Sequence, residues 1–274
     1  MPIVPGLMSF SYHLTWEHGH IGWVEELSRA IDLGLRSVEW CGPIFADPDS
    51  FDPGIIETLR READRHGVRC QVAGWAPLLA TGDEVRQVER HLTVQLESTR
   101  IFGAKVLRMG NMWDPQMRIN VPRPLPVVLD NLKRITEAGA RAGVTIAFED
   151  HLDFRLPDFQ FFLREINSPW FRVTLDTGNL LPVQEDAVAF CDALAGQIVN
   201  VHFKGVEYIW TDAGAVLTGT TPERSIVDLR AVLNRLRREA HEITLHIEGQ
   251  CMREEQEAGM VAAYVDFLHG EGLQ

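Results

Sequence analysis

Four short runs of this sequence end in residues able to hold a cation. AFEDH carries Glu149, LDTGN carries Asp176, VHFKG carries His202 and HIEGQ carries Glu248. Each follows an apolar stretch, where an unpaired charge is costly to bury and a bound cation would relieve the cost. Three carboxylates and one imidazole make a hard, oxygen-rich donor set, which suits Mn²⁺ first, with Mg²⁺, Co²⁺ or Zn²⁺ as alternatives. Two carboxylates beside a metal can also move protons when their surroundings separate their pKa values. Taken singly, each residue has a plainer reading as a helix cap, a turn former, a salt-bridge partner or a satisfied core histidine. Taken together at the ends of four successive apolar runs, they favour one shared metal centre.

Such convergence needs a frame. An amphipathic helix closing on glycine, followed at once by an apolar strand, recurs at Leu33 (LGLRSVEW), His66 (HGVRCQVAGW), Phe102 (FGAKVLRMG) and Ala142 (AGVTIAFED). The spacing of Gly34, Gly67, Gly103 and Gly143 is that of one strand–loop–helix unit. Further strands are expected at Pro5–Ser9, Trp170–Asp176, Ile198–Lys204 and Ile243–Glu248. Helices are expected at Trp23–Leu33, Gly54–His66, Glu84–Phe102, Leu125–Ala142, Asp158–Ile166, Asp186–Leu194, Pro222–Ala240 and Glu254–His269. Eight alternating pairs predict an α/β fold, a single (βα)8 TIM barrel filling residues 1–274 as one domain. An open doubly wound sheet is the rival, but the segment after the first strand, SFSYHLTWEHGH, has no glycine-rich phosphate loop. In a barrel the C-terminal rim carries the chemistry, and Glu149, Asp176, His202 and Glu248 all fall there.

With 39 acidic against 26 basic residues, the net charge of −13 repels nucleic acid and anionic membranes. The cysteines Cys41, Cys70, Cys191 and Cys251 form no C-x-x-C pair, so neither a disulfide framework nor a thiolate zinc site is expected. A reducing cytoplasm is the expected location, since no export signal or membrane-length apolar run is present.

Around the rim, His13 follows the first strand, Trp75 the third, Asn111 and Trp113 the fourth and His151 the fifth, beside Tyr12 and Trp16. Aromatic rings suit the apolar faces of sugars, and His, Asn and Lys can fix hydroxyls, although such loop residues also cap cores or meet partner subunits. Lys204, next to the strand carrying His202, is an expected contact for a carboxylate or phosphate. Glu39, inside SVEWCG, reaches the rim or pairs with an arginine such as Arg108.

The motifs AFEDH, LDTGN, VHFKG and HIEGQ resemble those of the xylose isomerase-like barrel superfamily, particularly its sugar phosphate isomerase/epimerase group. That group includes ketose 3-epimerases, hydroxypyruvate isomerases and inosose dehydratases. The resemblance implies that Glu149, Asp176, His202 and Glu248 bind one divalent metal and that Glu149 and Glu248 also act as acid and base. Three departures touch the substrate contacts. His202-Phe203-Lys204-Gly205 stands where many members have His-x-Lys-Asp, Asn179 stands where many have a second histidine, and LTGTTPERS replaces a glycine-rich segment.

The expected activity is isomerisation or epimerisation of a keto sugar or related polyol through a metal-stabilised enediolate. The alternatives are a metal-dependent lyase on the same scaffold (dehydratase, decarboxylase or C-glycoside deglycosidase) and a non-catalytic sugar-binding barrel. An endonuclease would need further metal ligands and a basic groove. Expected substrate contacts are His13, Trp75, Asn111, Trp113, His151, Asn179 and Lys204, and expected partners are a small carbohydrate and further copies of the chain, as a dimer or tetramer.

Overall fold

Helix-ending glycines set the frame. Gly34, Gly67, Gly103 and Gly143 all take left-handed φ values between 67° and 72°, a conformation that favours glycine, and each turns a helix into the next strand. The computed structural model describes residues 3–111 and 124–273. In order, the chain forms β1 (Ile3–Met8), α1 (His13–Glu17), α2 (Trp23–Asp32), β2 (Ser37–Trp40), α3 (Pro43–Ala46), α4 (Pro53–His66), β3 (Arg69–Ala76) and α5 (Val85–Phe102). It continues through β4 (Val106–Asn111), α6 (Leu125–Ala142), β5 (Thr145–Glu149), α7 (Leu156–Ile166), β6 (Phe171–Asp176), α8 (Ala187–Ala193) and β7 (Ile198–Phe203). The last elements are β8 (Gly205–Thr211), β9 (Gly214–Thr220), α9 (Leu229–Leu236), β10 (Ile243–Ile247) and α10 (Glu257–Gly270).

Eight parallel strands close into a barrel in the order β1-β10-β7-β6-β5-β4-β3-β2, with β1 sealing the cylinder against β10 from Ile3↔Ile243 to Leu7↔Ile247. The helices α2, α4, α5, α6, α7, α8, α9 and α10 follow the strands in the expected alternation. Apolar residues pack between strands and helices. Phe148 of β5, fully buried, meets Phe154, Phe159, Phe162 and Phe171 with ring centroids 5.5 to 6.3 Å apart. No helix among the described residues is long and apolar enough to cross a membrane.

Two expectations need correction. The helix expected over Pro222–Ala240 is a 3-10 turn at Pro222–Arg224 followed by the shorter α9. Asp228 interrupts it by capping a new start, its carboxylate accepting the Ala231 N–H at 2.9 Å, while the Ile226 N–H is held by the Val206 carbonyl at 2.9 Å. The second is the antiparallel hairpin β8–β9, which stands outside the barrel where a plain connection was expected. Its residues Tyr208, Ile209, Trp210 and Val216 are exposed, and at Gly219 it comes so close to the loop after β10 that an added Cβ would lie 2.2 Å from the Gln250 carbonyl oxygen.

Candidate metal centre at the C-terminal rim

The register brings the four sequence-derived ligands together. Glu149 closes β5, Asp176 closes β6 and pairs with His202 of β7, and Glu248 lies one residue beyond β10, its N–H donating to the Phe203 carbonyl at 3.3 Å. All four are buried, and one donor atom from each lies within 4.8 Å of the other three. His202 Nδ1 stands 2.7 Å from Glu149 Oε1 and 2.8 Å from Glu248 Oε2. Asp176 does two jobs. Its Oδ1 accepts the N–H groups of Gly178 and Asn179 at 2.8 and 3.0 Å in a local turn, which turns Oδ2 toward the cluster.

Cations already gather there. Lys204 Nζ is 2.8 Å from Asp176 Oδ2 and 2.9 Å from Glu248 Oε1, and Arg108 is ion-paired with Glu149. Burial alone would push the His202 imidazole down. The carboxylates of Glu39 and Glu248 outweigh it and hold the pKa up at about 10. Burial likewise opposes ionisation of Glu248, but Lys204 and His202 keep its carboxyl well below the usual range. The negative field that holds a proton on His202 also attracts a divalent cation, which would displace that proton on binding. Glu149 Oε2, Asp176 Oδ2 and His202 Nδ1 have ionic neighbours but no hydrogen bond of good geometry among the described residues. Buried polar atoms rarely stay so. The donor set therefore fits one divalent ion.

Below the cluster, the barrel interior is polar. Glu39, fully buried, accepts from His202 Nε2 at 2.5 Å, from Asn200 Nδ2 at 2.8 Å and from Gln71 Nε2. Burial raises the Glu39 carboxyl, but the His202 charge and hydrogen bond bring it down to about 2. This ionised carboxylate fixes the His202 ring with Nδ1 toward the other ligands, the arrangement that orients metal-bound imidazoles generally. Glu39 is thus buried below the rim, and among the described residues it forms no ion pair with Arg108, whose charge only adds to the lowering. His246 completes the layer. Burial lowers it to about 4, so the neutral ring donates from Nδ1 to Asn200 Oδ1 at 3.0 Å and accepts at Nε2 from the Ser37 hydroxyl at 2.9 Å.

Of the expected substrate contacts, Lys204 joins the cluster directly. Asn179 lies beside it with a buried Nδ2 that has no hydrogen bond among the described residues, and His151 is half-buried near Arg108 and Lys204. Burial first, then those two cations, lower His151 to about 4 and leave it neutral near pH 7. His13 instead stacks on Phe10 and turns Nδ1 to the Phe10 carbonyl at 2.9 Å and Glu257 at 3.4 Å, and Trp75 packs on His91 with ring centroids 4.4 Å apart. Trp113 and the side chain of Asn111 lie outside the described residues. The sequence reading missed Asp150, whose Oδ1 accepts the Asp176 N–H at 2.6 Å. Burial and the Asp176 charge hold its carboxyl well above the usual range. Its position after Glu149 was the one available signal.

No curated protein matches this chain. Among solved structures, a probable 3-DHS dehydratase from Bacillus anthracis superposes with a TM-score of 0.77 at 16% identity over 98% of this chain and 99% of that one. The 3-keto-D-glucoside 4-epimerase of E. coli gives 0.70 at 15% identity over 97% and 100%. A xylose isomerase-like TIM barrel protein from Mycobacterium smegmatis in complex with magnesium gives 0.64 at 13% identity over 90% and 89%. These likenesses establish the fold. The sequence model of the xylose isomerase-like TIM barrel matches residues 27–268, nearly the whole barrel, and this chain belongs to that family.

Proposed function

We propose that the protein is a divalent-metal-dependent isomerase or epimerase acting on a keto sugar or related polyol. The observation that carries this reading is the meeting of Glu149, Asp176, His202 and Glu248 within 4.8 Å, from the ends of four consecutive strands, at the rim where barrels place their chemistry. Family membership and an epimerase of the same fold support it. Mn²⁺ heads the candidate ions, with Mg²⁺, Co²⁺ and Zn²⁺ as alternatives.

A divalent ion held by these four residues would supply Lewis acidity at a substrate carbonyl and its neighbouring hydroxyl, acidifying the adjacent C–H. Glu149 and Glu248 approach His202 Nδ1 from strands separated by β6 and β7, so a flat substrate over the cluster would have a carboxylate on each side. One carboxylate takes the proton from carbon while the C–H electron pair becomes the C=C bond of an enediolate and the former carbonyl oxygen takes up the charge. The other returns a proton, giving an epimer when it reaches the opposite face of the same carbon and an isomer when it reaches the neighbouring carbon. Lys204, through Nζ, donates to the oxygen that gains charge. His151, neutral, and Asn179, through its Nδ2, which has no hydrogen bond among the described residues, hold hydroxyls of the substrate.

Single substitutions Glu149→Gln and Glu248→Gln test this directly. Each is expected to cut turnover by roughly 10²–10⁴-fold, the usual contribution of a positioned acid or base. In D₂O the native protein should wash deuterium into one carbon of a converted keto sugar. Native-level turnover in either variant, or conversion without solvent label, would overturn the proton-transfer assignment.

A further inference from the structure

A second grouping of metal-ligand side chains lies on the outer surface, away from the buried centre. His18 caps the end of α1, His20 follows after one residue, and Glu254 opens the 3-10 turn that leads into α10. His18 Nδ1 is 2.7 Å from Glu254 Oε2 and His20 Nδ1 is 2.6 Å from Glu254 Oε1. One donor atom from each residue lies within 4.8 Å of the other two, and the rings stand at 65° with centroids 6.0 Å apart.

Local backbone holds this arrangement. Gly19, between the histidines, has φ +73°, which reverses the chain and brings both rings to one side. The N–H groups of His18, Gly19 and His20 donate to the carbonyls of Leu14, Trp16 and Thr15 at 2.9 to 3.0 Å. The histidine-bearing turn is then clamped to the element bearing Glu254. Fully buried Glu257 accepts the Leu14 N–H at 2.8 Å, the Thr15 N–H at 3.0 Å and the Thr15 hydroxyl at 2.5 Å. Donors 234 to 236 positions apart in sequence are thus preset in space.

We infer that His18, His20 and Glu254 form a second metal site, selective for Zn²⁺ and related late transition ions and separate from the buried centre. Two imidazoles and one carboxylate, with outer positions open to water, suit a tetrahedral ion. Bonds of about 2.0–2.2 Å would separate its donors by about 3.4 Å, so the rings and carboxylate need move only slightly. The nitrogen-rich donor set and the natural affinity order place Zn²⁺ far above Mn²⁺ or Mg²⁺ here. The site staples the turn after β1 to the turn after β10, across the seam where the barrel closes.

Metal uptake tests it with Zn²⁺ alone as the probe. The wild type is expected to bind one more equivalent of Zn²⁺ per chain than the His18→Ala/His20→Ala double variant, and saturating Zn²⁺ should raise the Tm of the wild type by more. Both histidines are exposed, so the double variant keeps its fold. Glu254→Gln should weaken the extra equivalent at least about tenfold, and a Glu149→Gln/Asp176→Asn variant should retain it. Equal uptake by wild type and double variant, or undiminished affinity in Glu254→Gln, would overturn the proposal. Failure of the buried centre would instead appear as the same count in wild type and Glu149→Gln/Asp176→Asn.

Discussion

Glu26 sits on the inner face of α2, 1% exposed, and neither of its carboxylate oxygens has a hydrogen bond among the described residues. Burial, reinforced by the Glu257 charge and only partly offset by Arg29, holds its carboxyl well above the usual range. A raised folded-state pKa means that the native protein keeps a proton which the unfolded chain releases. The resulting stabilisation is complete below the unfolded value near 4.5 and fades as pH rises through the folded value. Glu26→Gln, neutral at every pH, should therefore raise Tm near pH 8, by about 2–4 °C for each kcal/mol recovered, and change little near pH 4. A loss of Tm of equal size at both pH values would count against this account. Glu39 shows the opposite balance, because His202, Asn200 and Gln71 give its charge the partners that Glu26 lacks.

At the scale of elements, β5 and α7 form the wall behind Glu149. Phe148 points away from the barrel axis into the Phe154, Phe159, Phe162 and Phe171 cluster, while its neighbour Glu149 turns inward, the alternation expected of a strand. Phe148→Ala should cost about 3–5 kcal/mol, read as a lowered midpoint in urea. Loss of under about 1 kcal/mol would mean that the cluster closes over the gap.

These same elements show what was legible in sequence. A candidate ligand at the end of an apolar run announces itself, since the run marks the strand and the acidic residue that closes it marks its mouth, as at Glu149, Asp176 and Glu248. Glu39 gave a weaker signal. It lies inside a four-residue strand that is buried throughout, and only three-dimensional closure shows which interior layer it joins. Hairpin β8–β9 was hidden because its strands satisfy each other and its outer residues carry no core pattern. The shortened α9 turned on Asp228, whose side chain outcompetes helix continuation from Pro222.

For the whole molecule, closure is the feature that brings together both groups of metal-ligand-type side chains. The buried centre needs β5, β6, β7 and β10 side by side, and the outer His18–His20–Glu254 group needs β1 sealed against β10. Alternation of helix and strand foretold the closed sheet and with it the seam between first and last strands, but not that His18, His20 and Glu254 would meet across it.

The hairpin supplies one more property. Trp210 is 79% exposed at its outer end while Trp40 is fully buried, so the two indoles occupy opposite optical environments. Trp210 should contribute a long-wavelength, acrylamide-quenchable component of the emission, and Trp210→Phe should reduce that component while leaving the fold intact. Gly219, near the base of the same hairpin, rests against Gln250, two residues beyond Glu248, so the hairpin is tied to the rim loop, and a change in Trp210 emission when a sugar is added would show that rim movement travels along it.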